Sequence, residues 1–272
     1  MSESIIDQWR KRFDEFQSEA VKNVVSDYRE KPAGRYLIVI PTGGGKTFTT
    51  VKAVNELFNQ EIFNAKSDRV VWAAHRQELI EQADEEFNEF AKKDRNNSFK
   101  DRVTIMMISG VREHLKTHDD VRLVVIDEAH HAAANIQYGP IFEYPALGIL
   151  GLTATPSRHD GQPLEFERET FSIGFPDLVE KRIILSPEIR TVDTKERFDG
   201  VKPKGNRFVG LDALGTESRD GKIIQHILEH QHDYIKIILY ASSVSHTRQL
   251  YQRIQESPLK NLYESVDYIT GA

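Results

Sequence analysis

The segment Pro41-Thr42-Gly43-Gly44-Gly45-Lys46-Thr47 constrains this chain more than any other. A short run of β-forming apolar residues, 36–40, precedes it, and a helix-compatible stretch from 46 to about 59 follows. Strand, glycine-rich loop and helix in that order are the context in which a phosphate-binding loop has chemical meaning. Three successive glycines let the backbone turn tightly with no side chain in the way, so that peptide N–H groups and the start of the helix can face a phosphate. Lys46 is then the expected cation for the β- and γ-phosphates of ATP, and the Thr47 hydroxyl an expected ligand of Mg2+. Thr42, Gly43, Gly44 and Gly45 complete the expected cradle. Ile40 stands where the common eight-residue pattern has its first glycine, away from the residues that carry the chemistry.

Further short apolar runs at 69–74, 103–108, 122–126 and 146–152 alternate with helical patterns at 76–90 and 111–117. Strands of about five residues separated by helices predict an α/β fold with a parallel sheet covered on both faces. Ahead of them, residues 5–28 repeat apolar positions near the helical period and predict one or two amphipathic helices, ended by Pro32 and Gly34. Periodicity fades over 158–169; 183–188 and 190–194 read as short extended pieces, and 201–215 as a connector rich in Gly and Pro. The pattern restarts with a helix at 221–232, a strand at 235–240 and a helix at 246–255. The expected division is therefore a nucleotide-binding domain over 1–185, a basic connector over 186–216, and the start of a second domain over 217–272. With a single strand, that last piece is too small to close a sheet of its own.

The run 122–126 leads directly into Asp127-Glu128-Ala129-His130-His131. A carboxylate at the C-terminal end of a strand sits where open α/β sheets bind their ligands. Asp127 is expected to hold Mg2+ opposite Thr47, and Glu128 to accept a proton from the water that attacks the γ-phosphate. His130 is expected to bond to another loop and report the state of the nucleotide. Adjacent positions point in different directions, so His130 and His131 do not make a two-histidine metal site by themselves.

Composition removes other chemistries. With no cysteine, the chain has no disulfide, thiolate zinc site, iron–sulfur cluster or cysteine nucleophile. No apolar run approaches the roughly 20 residues of a membrane helix, and the N-terminus lacks the apolar core of a secretory signal, so the expectation is a cytoplasmic protein with no membrane partner. A net charge of -6 argues against a polycation that coats nucleic acid, while leaving room for a local basic groove.

Residues 41–47, 127–130 and Leu152-Thr153-Ala154-Thr155-Pro156 together resemble the first three motifs of superfamily 2 helicases and translocases of the DEAH-box kind. Ala74-His75-Arg76-Gln77-Glu78-Leu79 resembles the motif Ia region of the branch that contains type I and type III restriction motor subunits. The resemblance covers about residues 5–215 and the opening of the second domain, where 236–243 resembles the motif IV strand. It implies a RecA-like P-loop NTPase domain followed by the beginning of an incomplete second RecA-like domain. It also implies ATP hydrolysis with Mg2+, action on double-stranded DNA, and nuclease or specificity subunits as partners. Thr153 and Thr155 would link the second motif to the nucleic-acid groove. Phe16-Gln17-Ser18-Glu19-Ala20 resembles the upstream glutamine element, in which Gln17 reads adenine; an amide can donate to N7 while accepting from N6. A surface glutamine on an amphipathic helix is the alternative reading. The late motifs that carry an arginine finger are absent from the 272 residues, which implies a crippled ATPase and an N-terminal piece of a longer polypeptide.

A motor that steps along DNA must grip the phosphate backbone irrespective of base identity. The candidate contacts are His75, Arg76, Ser109, Gly110 and Arg112. Residues 92–102 and 190–207 each carry an excess of Lys and Arg, which either flanks a DNA path or keeps a loop soluble. Two other functions compete with the motor. One is an ATP-dependent switch or assembly subunit of a restriction or defence complex, binding DNA or protein without travelling. The other, a small-molecule kinase, shares the loop and leaves 152–156 unexplained.

Overall fold

The structure, a computed structural model, describes residues 5–93, 99–134, 139–144, 146–155, 166–189, 191, 201–204 and 207–270. The chain divides into two compact units, Met1–Pro187 and Glu188–Ala272. In the first, β1 (Arg35–Val39), β2 (Arg69–Ala74), β3 (Val103–Met107), β4 (Val121–Ile126), β5 (Gly148–Thr153) and β6 (Arg168–Ser172) form one sheet in the order β3-β2-β4-β5-β1-β6. Every pairing in it is parallel. This is a RecA-like α/β fold, and its parallel strands bring all their C-terminal ends to one edge.

The helices are α1 (Ile5–Glu30), α2 (Lys46–Asn59), α3 (Gln77–Lys93), α4 (Ile108–Thr117), α5 (Gly139–Phe142) and α6 (Phe175–Glu180). Successive strand side chains alternate between two cores, which is why the strands read as nearly continuous apolar runs. Ile38, Trp72, Val125 and Leu150 pack with Val24 of α1, Val54 of α2 and Phe87 of α3. Their neighbours Val39, Val71, Val124 and Ile149 pack on the opposite face with Val111 and Leu115 of α4 and Ile141 of α5. Trp72 is fully buried and meets the Phe87 ring edge-on, with centroids 5.4 Å apart.

Two elements differ from the sequence-based expectation. β6 lies at the sheet edge, and of its five residues only Thr170 and Phe171 are buried. Its exposed Arg168, Glu169 and Ser172 leave no apolar run to read, so its sequence carries almost no strand signal. The strand expected at 103–108 ends one residue early, and Ile108 opens α4; Ser109 and Gly110 thus stand in the first turn of a helix instead of a loop. Residues 5–30 form one helix, in keeping with the expectation of one or two. Residues 156–165, including Pro156, lie outside the described residues.

In the second unit, α7 (Glu217–Glu229) and α8 (Val244–Gln255) enclose a small core of Ile224, Ile227, Leu250, Ile254 and Leu259. A hairpin of β7 (Lys202–Lys204) and β8 (Arg207–Val209) lies within the stretch read as a connector, of whose basic residues Arg190, Lys195 and Arg197 are outside the described ones. Buried Asp220 pairs with Arg253 and accepts from His246 Nε2 at 2.9 Å, while His246 Nδ1 accepts from the Ser242 N–H at 3.1 Å. The strand expected over 235–240 does not form. Ile235, Ile238 and Tyr240 are 91%, 76% and 92% exposed. A buried parallel strand is held by neighbours on both sides, and among the described residues no strand pairs with this one.

Trp72→Ala is expected to destabilise the first unit by about 3–5 kcal/mol. Urea unfolding followed by far-UV circular dichroism checks this, and a loss under about 1 kcal/mol would contradict the packing described for that face.

Candidate active site

The site is built at the C-terminal edge of the sheet, where β1 and β4 flank β5. β1 delivers the chain into the loop 41–45, and α2 begins at Lys46. Gly43 and Gly45 adopt φ of +85° and +73°, a left-handed backbone that side-chain-bearing residues resist. Gly44 is buried, Thr42 is exposed, and Thr47 is half-buried in the first turn of α2. Gly45 caps α2 with no side-chain hydrogen bond, so the helix start has no internal anion of its own. The Thr49 and Thr50 hydroxyls donate back to the Gly45 and Lys46 carbonyls at 2.9 and 3.0 Å and tie the first turns to the loop.

The Lys46 ammonium spans the gap between the loops. Nζ donates to Glu128 Oε1 at 2.7 Å and lies 3.6 Å from Asp127 Oδ1. Asp127 is buried at the end of β4, its N–H donating to the Ala73 carbonyl of β2 at 2.9 Å. Its carboxylate accepts from the Glu128 N–H at 2.9 Å. Burial pushes the Asp127 carboxyl above the ordinary carboxylate value, and the Lys46 charge pulls it back. Glu128 carries φ of +51°, a strained conformation for this residue, before the tight turn over Ala129–Ala134.

A second chain of contacts leaves Glu128 in the other direction. His130 Nδ1 lies 3.3 Å from Glu128 Oε2 and 3.1 Å from Thr153 Oγ1. The Thr153 hydroxyl donates to the Thr155 carbonyl at 2.8 Å and accepts from the Thr155 N–H at 3.1 Å. With its proton given to Thr155, Thr153 must accept from His130, which assigns a proton to Nδ1. The expected bond from His130 to another loop therefore has a named partner on β5. His131 turns the other way, with its ring 4.4 Å from that of His75 and 4.2 Å from that of His130.

The residues chosen as DNA contacts are not assembled alike. Arg76, Ser109 and Arg112 are exposed beyond β2 and β3, and Gly110 is half-buried against Met106. His75 faces inward onto His131, and its Nδ1 is enclosed without a hydrogen-bond partner among the described residues. Desolvation, then the neighbouring His131 and Arg76, hold its pKa below the usual histidine value, with Glu128 opposing weakly. Of the basic stretch 92–102, residues 94–98 are outside the described ones; Lys100 pairs with Asp84 at 3.7 Å, and Arg102 donates to the Lys66 carbonyl at 3.1 Å.

Gln17 of α1 is fully buried against the loop: a Cβ on Gly45 would lie 2.9 Å from its Nε2 and 2.8 Å from Phe13. Lys52 of α2 donates to Gln17 Oε1 at 3.2 Å, a contact that nothing in the local sequence announced. Spacing places Asp14 and Gln17 on one face of α1, but does not tell which α2 residue meets them. These groups fit a nucleotide with its metal: an uncapped helix start behind a left-handed glycine turn, a lysine already holding two anions, and an enclosed amide with a spare donor.

A family model described as "Type III restriction enzyme, res subunit" matches residues 10–158. The chain is 29% identical over 206 residues to a helicase-designated protein of Sulfolobus islandicus filamentous virus (isolate Iceland/Hveragerdi), covering 64% of this chain and 34% of that one. It is 26% identical over 242 residues to a 51.5 kDa protein of Lactococcus phage (isolate 7-9), covering 84% and 48%. With the DNA 3'-5' translocase XPB2 of Sulfurisphaera tokodaii the identity is 26% over 223 residues, covering 76% and 47%. The chain thus spans between a third and a half of the length of these relatives.

The His75 environment has a pH signature. Its imidazole is expected to titrate below the ordinary 6.5 in an NMR pH series, and His131→Ala is expected to raise the midpoint by removing a competing positive charge. Because the folded pKa is depressed for a base, the unfolded chain binds the proton first, and stability falls as pH drops from about 6.5 toward the lowered value. A midpoint at or above 6.5 would contradict the desolvated placement.

Proposed function

The chain belongs to the type III restriction enzyme res subunit family, and from that membership we propose that it supplies the ATP-hydrolysing half of a motor acting on double-stranded DNA. Its similarity to superfamily 2 helicases and translocases is the coarser fact; ATP as the nucleotide, duplex DNA as the track and translocation as the outcome are the proposal. The observation that carries it is the position of Lys46 Nζ, which reaches both carboxylates at the end of β4 from the loop after β1.

In this reading the amides around residues 43–46 bind the phosphates, and Thr47 with Asp127 would hold Mg2+. The ion, when bound, neutralises charge on the triphosphate. Lys46 exchanges Glu128 for a phosphate oxygen as the nucleotide enters. Glu128, released from the ammonium, then accepts a proton from the attacking water. His130 keeps the other Glu128 oxygen within reach and ties it to Thr153, so that a shift of the β5 loop is felt at the base. Thr155 carries that connection toward the nucleic acid, whose phosphates are met by Arg76 and Arg112. His75 is a weaker candidate for a direct contact, since its ring is engaged with His131. A second RecA-like domain beyond the basic connector, with nuclease or specificity subunits, would complete such a motor.

Glu128→Gln is expected to keep nucleotide affinity within about twofold and to lower turnover by about 10²–10⁴-fold. Retained turnover would remove Glu128 as the base. Duplex DNA is expected to stimulate ATP hydrolysis by the full-length protein, and the protein is expected to displace the third strand of a triplex as it moves. DNA-stimulated turnover with an undisturbed triplex would favour the non-travelling switch instead.

A further inference from the structure

Gln17 has one end of its amide spoken for and the other end free. Lys52 Nζ donates to Gln17 Oε1 and to Asp14 Oδ1, both at 3.2 Å, and lies 4.8 Å from the centre of the Phe48 ring. A lysine ammonium only donates, so the amide atom facing it must be the oxygen. That fixes the orientation of the amide. The opposite end is therefore Nε2, which is enclosed, lacks a hydrogen-bond partner among the described residues, and lies against Gly45. An enclosed amide donor with nothing to donate to costs on the order of 1–3 kcal/mol until an acceptor arrives.

We propose that Lys52 is a positioning residue for base selection: it locks the polarity of the Gln17 amide so that the site takes adenine nucleotides over guanine nucleotides. The inference deepens, and rests on, the reading of Gln17 as the base contact. Adenine offers an acceptor at N7 beside a donor at N6, which match Nε2 and the remaining lone pair of Oε1. Guanine offers acceptors at both N7 and O6. With Oε1 held on the Lys52 side, O6 meets an oxygen and the pair repels. An unlocked amide can rotate to put a donor on O6, and the penalty against guanine shrinks. Gln17 has no exposed surface in this state, so base entry also requires a covering side chain to move. Phe13, half-buried on the same face of the Gly45 turn, is the group placed to do so.

The test compares binding of fluorescent ADP and GDP analogues by this chain with that of its Lys52→Met, Lys52→Arg and Gln17→Ala variants. Competition by inorganic tripolyphosphate serves as a measure of the phosphate loop alone. The expected result is a preference for ADP that falls about tenfold in Lys52→Met and in Gln17→Ala, is kept in Lys52→Arg, and leaves tripolyphosphate affinity unchanged throughout. Selectivity lost in Gln17→Ala but intact in Lys52→Met overturns the role of Lys52 and leaves the base contact standing. Selectivity intact in Gln17→Ala, or missing from the unmodified chain, overturns both. Weaker tripolyphosphate binding in Lys52→Met would assign Lys52 to the stability of the loop and likewise overturn the proposal.

Discussion

The ammonium of Lys46 ties the site together, because it reaches from the start of α2, just after the loop that follows β1, to both acids after β4. Neither loop is anchored to the other by the sheet, since β5 lies between their strands. Three partly or fully buried charges therefore meet where water is scarce, at 2.7 Å for Glu128 and 3.6 Å for Asp127. Such an arrangement is costly to leave unpaired, and one ammonium facing two carboxylates leaves a net negative charge, so a polyphosphate entering here would have to bring a cation with it and displace a carboxylate from Lys46. The Asp127 carboxyl is raised chiefly by its burial, with the Lys46 charge opposing and Glu128 adding to the shift. A polyanionic ligand entering along the helix start would meet uncapped amides and the Lys46 ammonium, which it would have to draw away from Glu128.

The rest of the first unit serves this meeting by making its geometry stiff. The four inner strands are buried on both faces, and their alternation sends Ile38 and Val39, or Val124 and Val125, to opposite cores. The strand ends are thereby held against movement, while the functional groups project from the turns just beyond them. The strain stored at Glu128, with φ of +51°, is supported by that frame and by the Asp127 bond to its amide. From Glu128 the contacts continue through His130 to Thr153 on β5, and through the His131 ring to His75 at the end of β2. The nucleotide side and the exposed Arg76 side of the domain are thus a few side chains apart.

Much of this was legible in the sequence, and for identifiable reasons. A glycine turn between a strand and a helix has few alternatives, and acids at a strand end have a preferred edge of the sheet; Lys46, Asp127, Glu128 and His130 were accordingly nameable in advance as neighbours. The four inner strands announced themselves because two-sided burial demands apolar residues, and β3, at the other edge, through Val103, Ile105, Met106 and Met107. β6 escaped because Arg168, Glu169 and Ser172 are exposed and only Thr170 and Phe171 are buried. The stretch 235–240 misled in the opposite direction: its apolar residues satisfy the strand pattern, but propensity does not supply hydrogen-bond partners, and none lies beside it among the described residues. Contacts between helices were the least readable. The inward turn of His75 and the grip of Lys52 on Gln17 depend on how α1, α2 and the strand ends pack, which no local spacing encodes.

The most direct measurement is a crystal structure of this chain with ADP and Mg2+. The account requires the β-phosphate to lie within hydrogen-bond distance of the amides at 43–46, the metal between Thr47 and Asp127, and Lys46 Nζ moved from Glu128 to a phosphate oxygen. Phosphates seated elsewhere, or a bound nucleotide with Lys46 still closed on Glu128, would contradict it.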